Sequence, residues 1–294
     1  MELIRKGKVK EVYALNDKEL LFIFTDSISV FDKIIPSKIP DKGASLARTS
    51  AHWFEIAENM GINTHFIKLE EMNRMRVKRF SIMNKGDVNK NSFLIPLEFI
   101  ARYYVAGSLF DRLKEGKIKA VELGIRNVKY GEKLPQPYFE VTTKFEDHDR
   151  NIDFNEAMEI GGLHKNELDE IKELIFKIDE RLNKDVESRG LIHVDGKKEW
   201  ALDMNRNPVL VDTFGTADED RFWDLKEYEK GNFIELSKEF VRKYYREIGY
   251  YDKLLEAREK GLKEPEIPPL PDDMIKKTSV LYKEMYEKIT GKKW

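Results

Sequence analysis

The segment Leu191 to Trp223, LIHVDGKKEWALDMNRNPVLVDTFGTADEDRFW, constrains this chain more than any other, because it reads as a β-hairpin whose charges sit where an ordinary sheet does not tolerate them. Asp203-Met204-Asn205-Arg206-Asn207-Pro208 is a turn by composition, with apolar, β-prone residues on either side. Side chains alternate along a strand, so Asp195, Lys197 and Glu199 point one way and Val194, Trp200 and Leu202 the other. With a loop of residues 204–207, Asp203 pairs with Pro208, and counting outward sets Glu199 opposite Asp212. Directly opposed like charges destabilise an antiparallel pair, and a divalent cation offsets that most simply. Mg²⁺ takes one or two carboxylates and completes its shell with water and substrate phosphate. Lys197 beside them suits a phosphate or a substrate carboxylate. The same register gathers Trp200, Leu202, Val209 and Val211 on the opposite face and leaves Leu210 and Phe214 on the acidic side as an apolar platform for a ring. The competing reading is a solvated hairpin whose charges serve solubility.

Composition narrows the function classes. The 294 residues allow one large domain or two smaller ones. Charged residues make up 36%, but the net charge is only -2, so charge gives no argument for a nucleic-acid partner. The absence of cysteine excludes disulfides, thiolate nucleophiles and cysteine-ligated zinc. His52, His65, His148, His164 and His193 are scattered without metal-ligand spacing. The N-terminal MELIRKGKVKEVY lacks the apolar core of a signal peptide, and no apolar run is long enough to span a bilayer. A soluble, cytoplasmic protein with no membrane partner is expected; oligomeric state stays open, a homo-oligomer included.

Along the chain, Glu2–Arg5, Val9–Ala14 and Leu20–Phe24 read as three short strands. Lys6, Lys8 and Lys10 surround Gly7, a turn at which backbone N–H groups and lysine charges could cover a triphosphate. Asp26 to Asp32 and Ile39 to Gly43 have turn and capping composition. Residues 44–59 have helical spacing, and the basic segment 74–90, broken at Lys85-Gly86-Asp87, reads as strands with a solvated face. In SFLIPLEFIARYYVAGS, Pro96 marks an edge or crossover, and Gly107-Ser108 opens a short helix. The start of that helix is either an anion site within reach of Arg102 or a plain N-cap. FEVTTKFEDHD ends a strand at Lys144. Leu168, Ile171, Leu174, Ile175, Ile178 and Leu182 trace one helix face, Phe233–Ile248 has helical period, residues 264–271 form an extended linker, and a last helix runs from Asp272 to about Ile289. Pattern alone gives a mixed α+β chain.

Four stretches, in this order, resemble the SAICAR synthetase (phosphoribosylaminoimidazole-succinocarboxamide synthase) family. Gly7-Lys8-Val9-Lys10-Glu11-Val12-Tyr13 resembles its phosphate-covering motif, and residues 26–32 and 39–43 resemble D-x-I-S-x-[FY]-D and I-P-x-K-G. Ile95-Pro96-Leu97-Glu98-Phe99-Ile100, Arg102 and Ala106-Gly107-Ser108 are similar to the family signature, and Thr143-Lys144 with His148-Asp149 to its T-K…H-D segment. The resemblance implies an α+β fold in a kinase-like arrangement: an N-terminal antiparallel β-rich domain over 1–91, a larger α+β domain with C-terminal helices over 92–294, and ATP in the cleft between them. It implies an ATP-dependent ligase of purine biosynthesis that joins L-aspartate to the carboxylate of carboxyaminoimidazole ribotide (CAIR). The implied roles are Gly7, Lys8, Lys10 and Glu98 toward ATP, Lys144 assisting near the phosphates, and Glu199 with Asp212 holding Mg²⁺. Lys197 and Asp218 face the imidazole, while Arg102, Ser108 and Arg221 take its ribose phosphate.

The departures fall in the hairpin, where D-x-K-x-E-F-G becomes Asp195, Lys197 and Glu199 followed by Trp200-Ala201. In the second strand, D-E and [ST]-P-D-x-S-R become Asp212-Thr213 and Thr216-Ala217-Asp218-Glu219-Asp220-Arg221. An acid at Asp220 beside the phosphate site weakens binding by like-charge repulsion, which favours a rival ligase or small-molecule kinase with another substrate. A non-catalytic ligand-binding relative is the second rival, disfavoured because a binding module needs no metal pair.

Overall fold

In the computed structural model, residues 1–82, 91–146, 149–236 and 238–294 are described. The loop at Lys85-Gly86-Asp87 and His148 lie outside the described residues.

Strands β1 (Glu2–Lys6), β2 (Lys10–Ala14) and β3 (Glu19–Phe24) form the expected meander. The segment of turn composition that follows is itself a hairpin, β4 (Ser27–Val30) and β5 (Lys33–Lys38). Its two tip residues, Phe31 and Asp32, have φ 51° and 65°, the left-handed pair that a tight hairpin turn demands. Helix α1 (Lys42–Asn59) precedes β6 (Phe66–Glu71) and β7 (Arg74–Lys78), which complete a sheet of order β1-β2-β3-β7-β6.

The larger sheet is drawn from β8 (Ser81–Ile82), β9 (Phe93–Leu94), β10 (Leu97–Tyr104), β11 (Lys133–Thr143), β12 (Asn151–Ile152), β13 (Leu191–Leu202), β14 (Pro208–Val211) and β15 (Asp220–Asp224). Helix α2 (Gly107–Lys114) follows β10, and α3 (Phe154–Gly161) and α4 (Lys165–Glu187) lead into β13. Helices α5 (Leu225–Glu229), α6 (Glu239–Glu247), α7 (Tyr250–Glu259) and α8 (Asp272–Thr290) close the chain. Strand β13 is the axis of this sheet, pairing with β10 and β9 on one side and β15 and β14 on the other. Pro96 stands where β9 gives way to β10, so its missing N–H interrupts no ladder.

Leu168, Ile171, Ile175, Ile178 and Leu182 of α4 are buried, and they pack in one cluster with Trp200, Leu202 and Leu210 of the hairpin and Phe22, Phe24 and Trp53 of the N-terminal half. The predicted helix over 233–248 begins only at Glu239. Before it, the Phe233 ring packs edge-on or tilted among Tyr130, Trp223 and Tyr228, and the Leu236 N–H bonds to the Phe222 carbonyl at 2.9 Å, so the segment docks on β15 instead of winding. Among the described residues no helix is long and apolar enough to cross a membrane.

Candidate active site

The hairpin register differs from the predicted one by a single residue. Leu202 pairs with Pro208 and Glu199 with Val211, not with Asp212. The Asp203 carboxylate accepts from the N–H groups of Asn205 and Asn207, each at 2.8 Å, and Arg206 takes φ 63°. The turn is thus a type I turn followed by a left-handed residue, which encloses three residues rather than four. A slip of one residue exchanges the faces of a strand. Leu210 and Phe214 accordingly join Trp200 and Leu202 in the core, while Val209 and Val211 pack with Ala201 on the Glu199 side. Val194, expected to point away from Asp195, packs with Ile192, Tyr104 and Trp223. The predicted meeting of the two carboxylates survives through a different device. Asp212 leaves β14 with φ 62°, uncommon for a residue with a Cβ, and the Lys144 ammonium lies against Glu199 and 3.7 Å from Asp212 Oδ2.

Around this centre gather Lys10, Lys144, Lys197, Glu98, Glu199, Asp212 and Glu219. Lys10 enters from β2, pairs with Asp212 and lies 4.4 Å over the Phe22 ring. Lys197 donates to Glu98 Oε1 at 2.7 Å and stands 3.3 Å from Glu219 Oε2 and 3.9 Å from Glu199 Oε1. Burial opposes the charge on Lys197, yet Glu219 and Glu98 outweigh it and hold its pKa above the usual lysine value. Burial dominates at the other two lysines. It brings Lys10 and Lys144 down to about 7, with Lys197 pushing each further down. Glu219, which sequence reasoning did not single out, is held below the usual carboxylate range: burial works against its charge, but Lys197 and Lys10 overcome it.

The donor chemistry fits Mg²⁺ in a particular way. Among the described residues there is no group of three or more metal-ligating side chains. A hard cation that keeps water and substrate phosphate in its shell needs only one or two carboxylates, as Glu199 and Asp212 would supply.

A second cluster lies further along the same face of β13. Arg102 donates from Nε to Glu140 Oε1 at 2.6 Å, from Nη1 to Asp195 Oδ2 at 3.0 Å and from Nη2 to Ser108 Oγ at 3.0 Å. Arg221 donates to Asp195 Oδ2 at 3.1 Å and pairs with Glu235 at 3.2 Å, and Arg112 pairs with Glu140. Arg102, Ser108 and Arg221 therefore converge as expected, and the Ser108 hydroxyl serves Arg102 instead of capping α2. Gly107 makes the approach feasible: its φ is 50°, and a Cβ there would stand 2.6 Å from Arg221 Nη1. Arg112 and Glu140 went unrecognised, although a glutamate inside the apolar run from Phe139 to Val141 was a usable signal.

Other predicted residues stand apart. Gly7 donates its N–H to the Lys10 carbonyl at 2.8 Å, which closes the turn that introduces β2. Lys8 is exposed and reaches Asp32 Oδ1 at 2.9 Å. Asp218 is buried away from Lys197, accepting from Lys42 at 2.7 Å and the Tyr282 hydroxyl at 2.6 Å, with Lys238 at 3.3 Å. Asp220 does not confront the arginines. It points to the opposite face, 2.9 Å from His193 Nε2, in room left by Gly196, where a Cβ would stand 2.3 Å from its Oδ2. Gly196→Ala is expected to lose about 1–3 kcal/mol in urea unfolding; a variant as stable as the parent would mean that Asp220 and His193 shift freely.

The chain matches the family model described as SAICAR synthetase over residues 3–257. It belongs to the SAICAR synthetase family. It is 58% identical over 295 residues to phosphoribosylaminoimidazole-succinocarboxamide synthase of Thermoplasma volcanium, with all of both chains covered. Among solved structures, the SAICAR synthase of Saccharomyces cerevisiae complexed with SAICAR is similar at TM-score 0.80 and 26% identity, covering 100% of this chain and 96% of that one. A type-2 SAICAR synthetase in complex with ADP is similar at TM-score 0.71 and 29% identity, covering 99% and 98%. Within this family fold, the departure at Trp200 is a packing change, since its ring is fully buried in the core, and the departure at Asp220 lies behind the sheet.

Proposed function

We propose that this chain is an ATP-dependent ligase that forms the amide between L-aspartate and the carboxylate of CAIR, giving the succinocarboxamide, ADP and phosphate. The observation that carries this reading is the order of groups on one face of β13. Asp195, with its arginines, then Lys197, then Glu199 follow at intervals of about 7 Å, the repeat of alternate strand residues. A substrate with a phosphate at one end and a carboxylate at the other fits that row, with its carboxylate turned toward the lysine and carboxylate centre.

A carboxylate is a poor electrophile toward an amine, and transfer of the ATP γ-phosphoryl group to its oxygen turns that oxygen into a leaving group. The amine of aspartate then attacks the carbonyl carbon, and phosphate departs. Arg102, Ser108 and Arg221 anchor the ribose phosphate, Asp195 orients both guanidinium groups, and Lys197 faces the reacting carboxylate. Lys10 and Lys144 neutralise transferring phosphoryl oxygens, so the chain works by positioning and charge compensation. Glu199 and Asp212 would hold Mg²⁺, which supplies charge neutralisation at the β- and γ-phosphates.

ADP release by purified protein with Mg²⁺ and ATP, given CAIR and L-aspartate separately and then together, tests the reading. Release that needs both, with succinocarboxamide formed, is the expected result; ATP turnover with neither or with only one of them would overturn it. Arg102→Ala and Arg221→Ala are each expected to raise the KM for CAIR roughly tenfold to a hundredfold with little effect on the KM for ATP. Equal changes in both constants would remove the phosphate assignment. A ligase or kinase for another substrate draws no support from Asp220, whose carboxylate faces His193.

A further inference from the structure

Behind β13 runs a buried line of polar groups that the proposed chemistry leaves unused. Lys198 pairs with Asp179 at 2.5 Å, both wholly buried, and the Tyr103 hydroxyl donates to Asp179 Oδ2 at 2.9 Å. His193, its ring packed against Tyr103 and Phe222, meets Asn183 Oδ1 of α4 at 2.6 Å through Nδ1 and Asp220 Oδ2 at 2.9 Å through Nε2. The second oxygen of Asp220 accepts from the Gly215 N–H at 3.0 Å.

The backbone is shaped to make this contact. Between His193 and Asp195 the pairing of β13 with β15 shifts, leaving one extra residue on β13, so that His193, opposite Phe222, shares a face with Asp220. Gly196, paired with Asp220, clears the space: a Cβ there would stand 2.3 Å from Asp220 Oδ2 and 2.7 Å from His193 Nε2. A carboxylate and an imidazole without any exposed surface persist only when their hydrogen bonds are satisfied. Asp220, the first residue of β15, lies between two residues that reach the site. Glu219 stands 3.3 Å from Lys197, and Arg221 donates to Asp195 at 3.1 Å.

We propose that Asp220 and His193 form a positioning pair that fixes the loop from Gly215 and the start of β15 against β13 and thereby sets where Arg221 and Glu219 stand. The pair touches no substrate, and the inference rests on the reading that Arg221 holds the ribose phosphate. Kinetics of Asp220→Ala, Asp220→Asn, His193→Ala, the Asp220→Ala/His193→Ala double variant and Arg221→Ala test it, each rate normalised to the folded fraction measured by circular dichroism. Asp220→Ala is expected to raise the KM for CAIR about tenfold and to leave the KM for ATP within about twofold. Asp220→Asn, which keeps an oxygen for the Gly215 N–H, is expected to restore most of that loss. His193→Ala should reproduce the effect, and the double variant should be no worse than either single one. Folded Asp220→Ala with an unchanged KM for CAIR, an equal rise for ATP, or an additive double variant would each overturn the pair. If Arg221→Ala leaves the KM for CAIR unchanged, the phosphate reading itself fails and this inference with it. If Arg221→Ala raises that KM and Asp220→Ala does not, only the positioning role falls.

Discussion

Glu199→Gln is expected to lower kcat by about a hundredfold or more while moving the melting temperature by no more than about 3 °C. The substitution keeps the size of a buried side chain and removes one negative charge from the position where the pair with Asp212 would hold the cation. Lys144 retains Asp212 at 3.7 Å, and burial has already brought its pKa down to about 7, so it gives up its proton rather than staying charged and unpaired. The loss therefore belongs to the transition state and not to folding. The readout is ADP release against Mg²⁺ concentration, with melting followed in parallel. A rise in the half-saturating Mg²⁺ concentration together with the fall in kcat supports the metal role. Rates near those of the parent with the same Mg²⁺ dependence would mean that Glu199 serves only as the partner of Lys144.

How much of this was legible in the sequence depends on the range of the interaction that decides each feature. The α4 face was readable because Leu168, Ile171, Ile175, Ile178 and Leu182 bury one helical stripe, a local period that tertiary packing only confirms. The convergence of Arg102, Ser108 and Arg221 followed from motif resemblance, since it requires β10, the start of α2 and β15 to meet. The hairpin register was not readable. A single left-handed residue, Arg206, separates a three-residue loop from a four-residue one, and composition does not distinguish them. Val209 and Leu210 exchanged faces for that reason alone. Glu219 was hidden because only the path of the loop between β14 and β15 brings it to Lys197. The misread helix start at Phe233 has the same origin: aromatic residues at helical spacing found a better partner in Trp223 and Tyr228 than in one another.

The largest effect on stability is expected at the buried strut between α1, α8 and the loop that carries Glu219. Lys42 has no exposed side-chain surface and Asp218 only 5%, and the Tyr282 hydroxyl of α8 shares the same carboxylate. Lys42→Met leaves that carboxylate with a weaker set of partners inside the protein. Removing one member of such a pair costs about 3–5 kcal/mol, because the remaining charge stays desolvated. Asp218→Asn is milder, since an amide oxygen still accepts from Tyr282, but it alters the acid limb. Burial works against the Asp218 charge, yet Lys238 and Lys42 hold its pKa below the ordinary carboxylate value. A carboxyl depressed in this way contributes stability that is full above the unfolded value of about 4 and is lost as the pH falls below it. Unfolding free energy measured by urea titration from neutral pH downward should therefore fall below about pH 4 less steeply in Asp218→Asn than in the parent. Parallel curves would place the acid sensitivity in other carboxylates, and an undiminished stability of Lys42→Met would mean that Lys238 and Tyr282 alone suffice to hold Asp218.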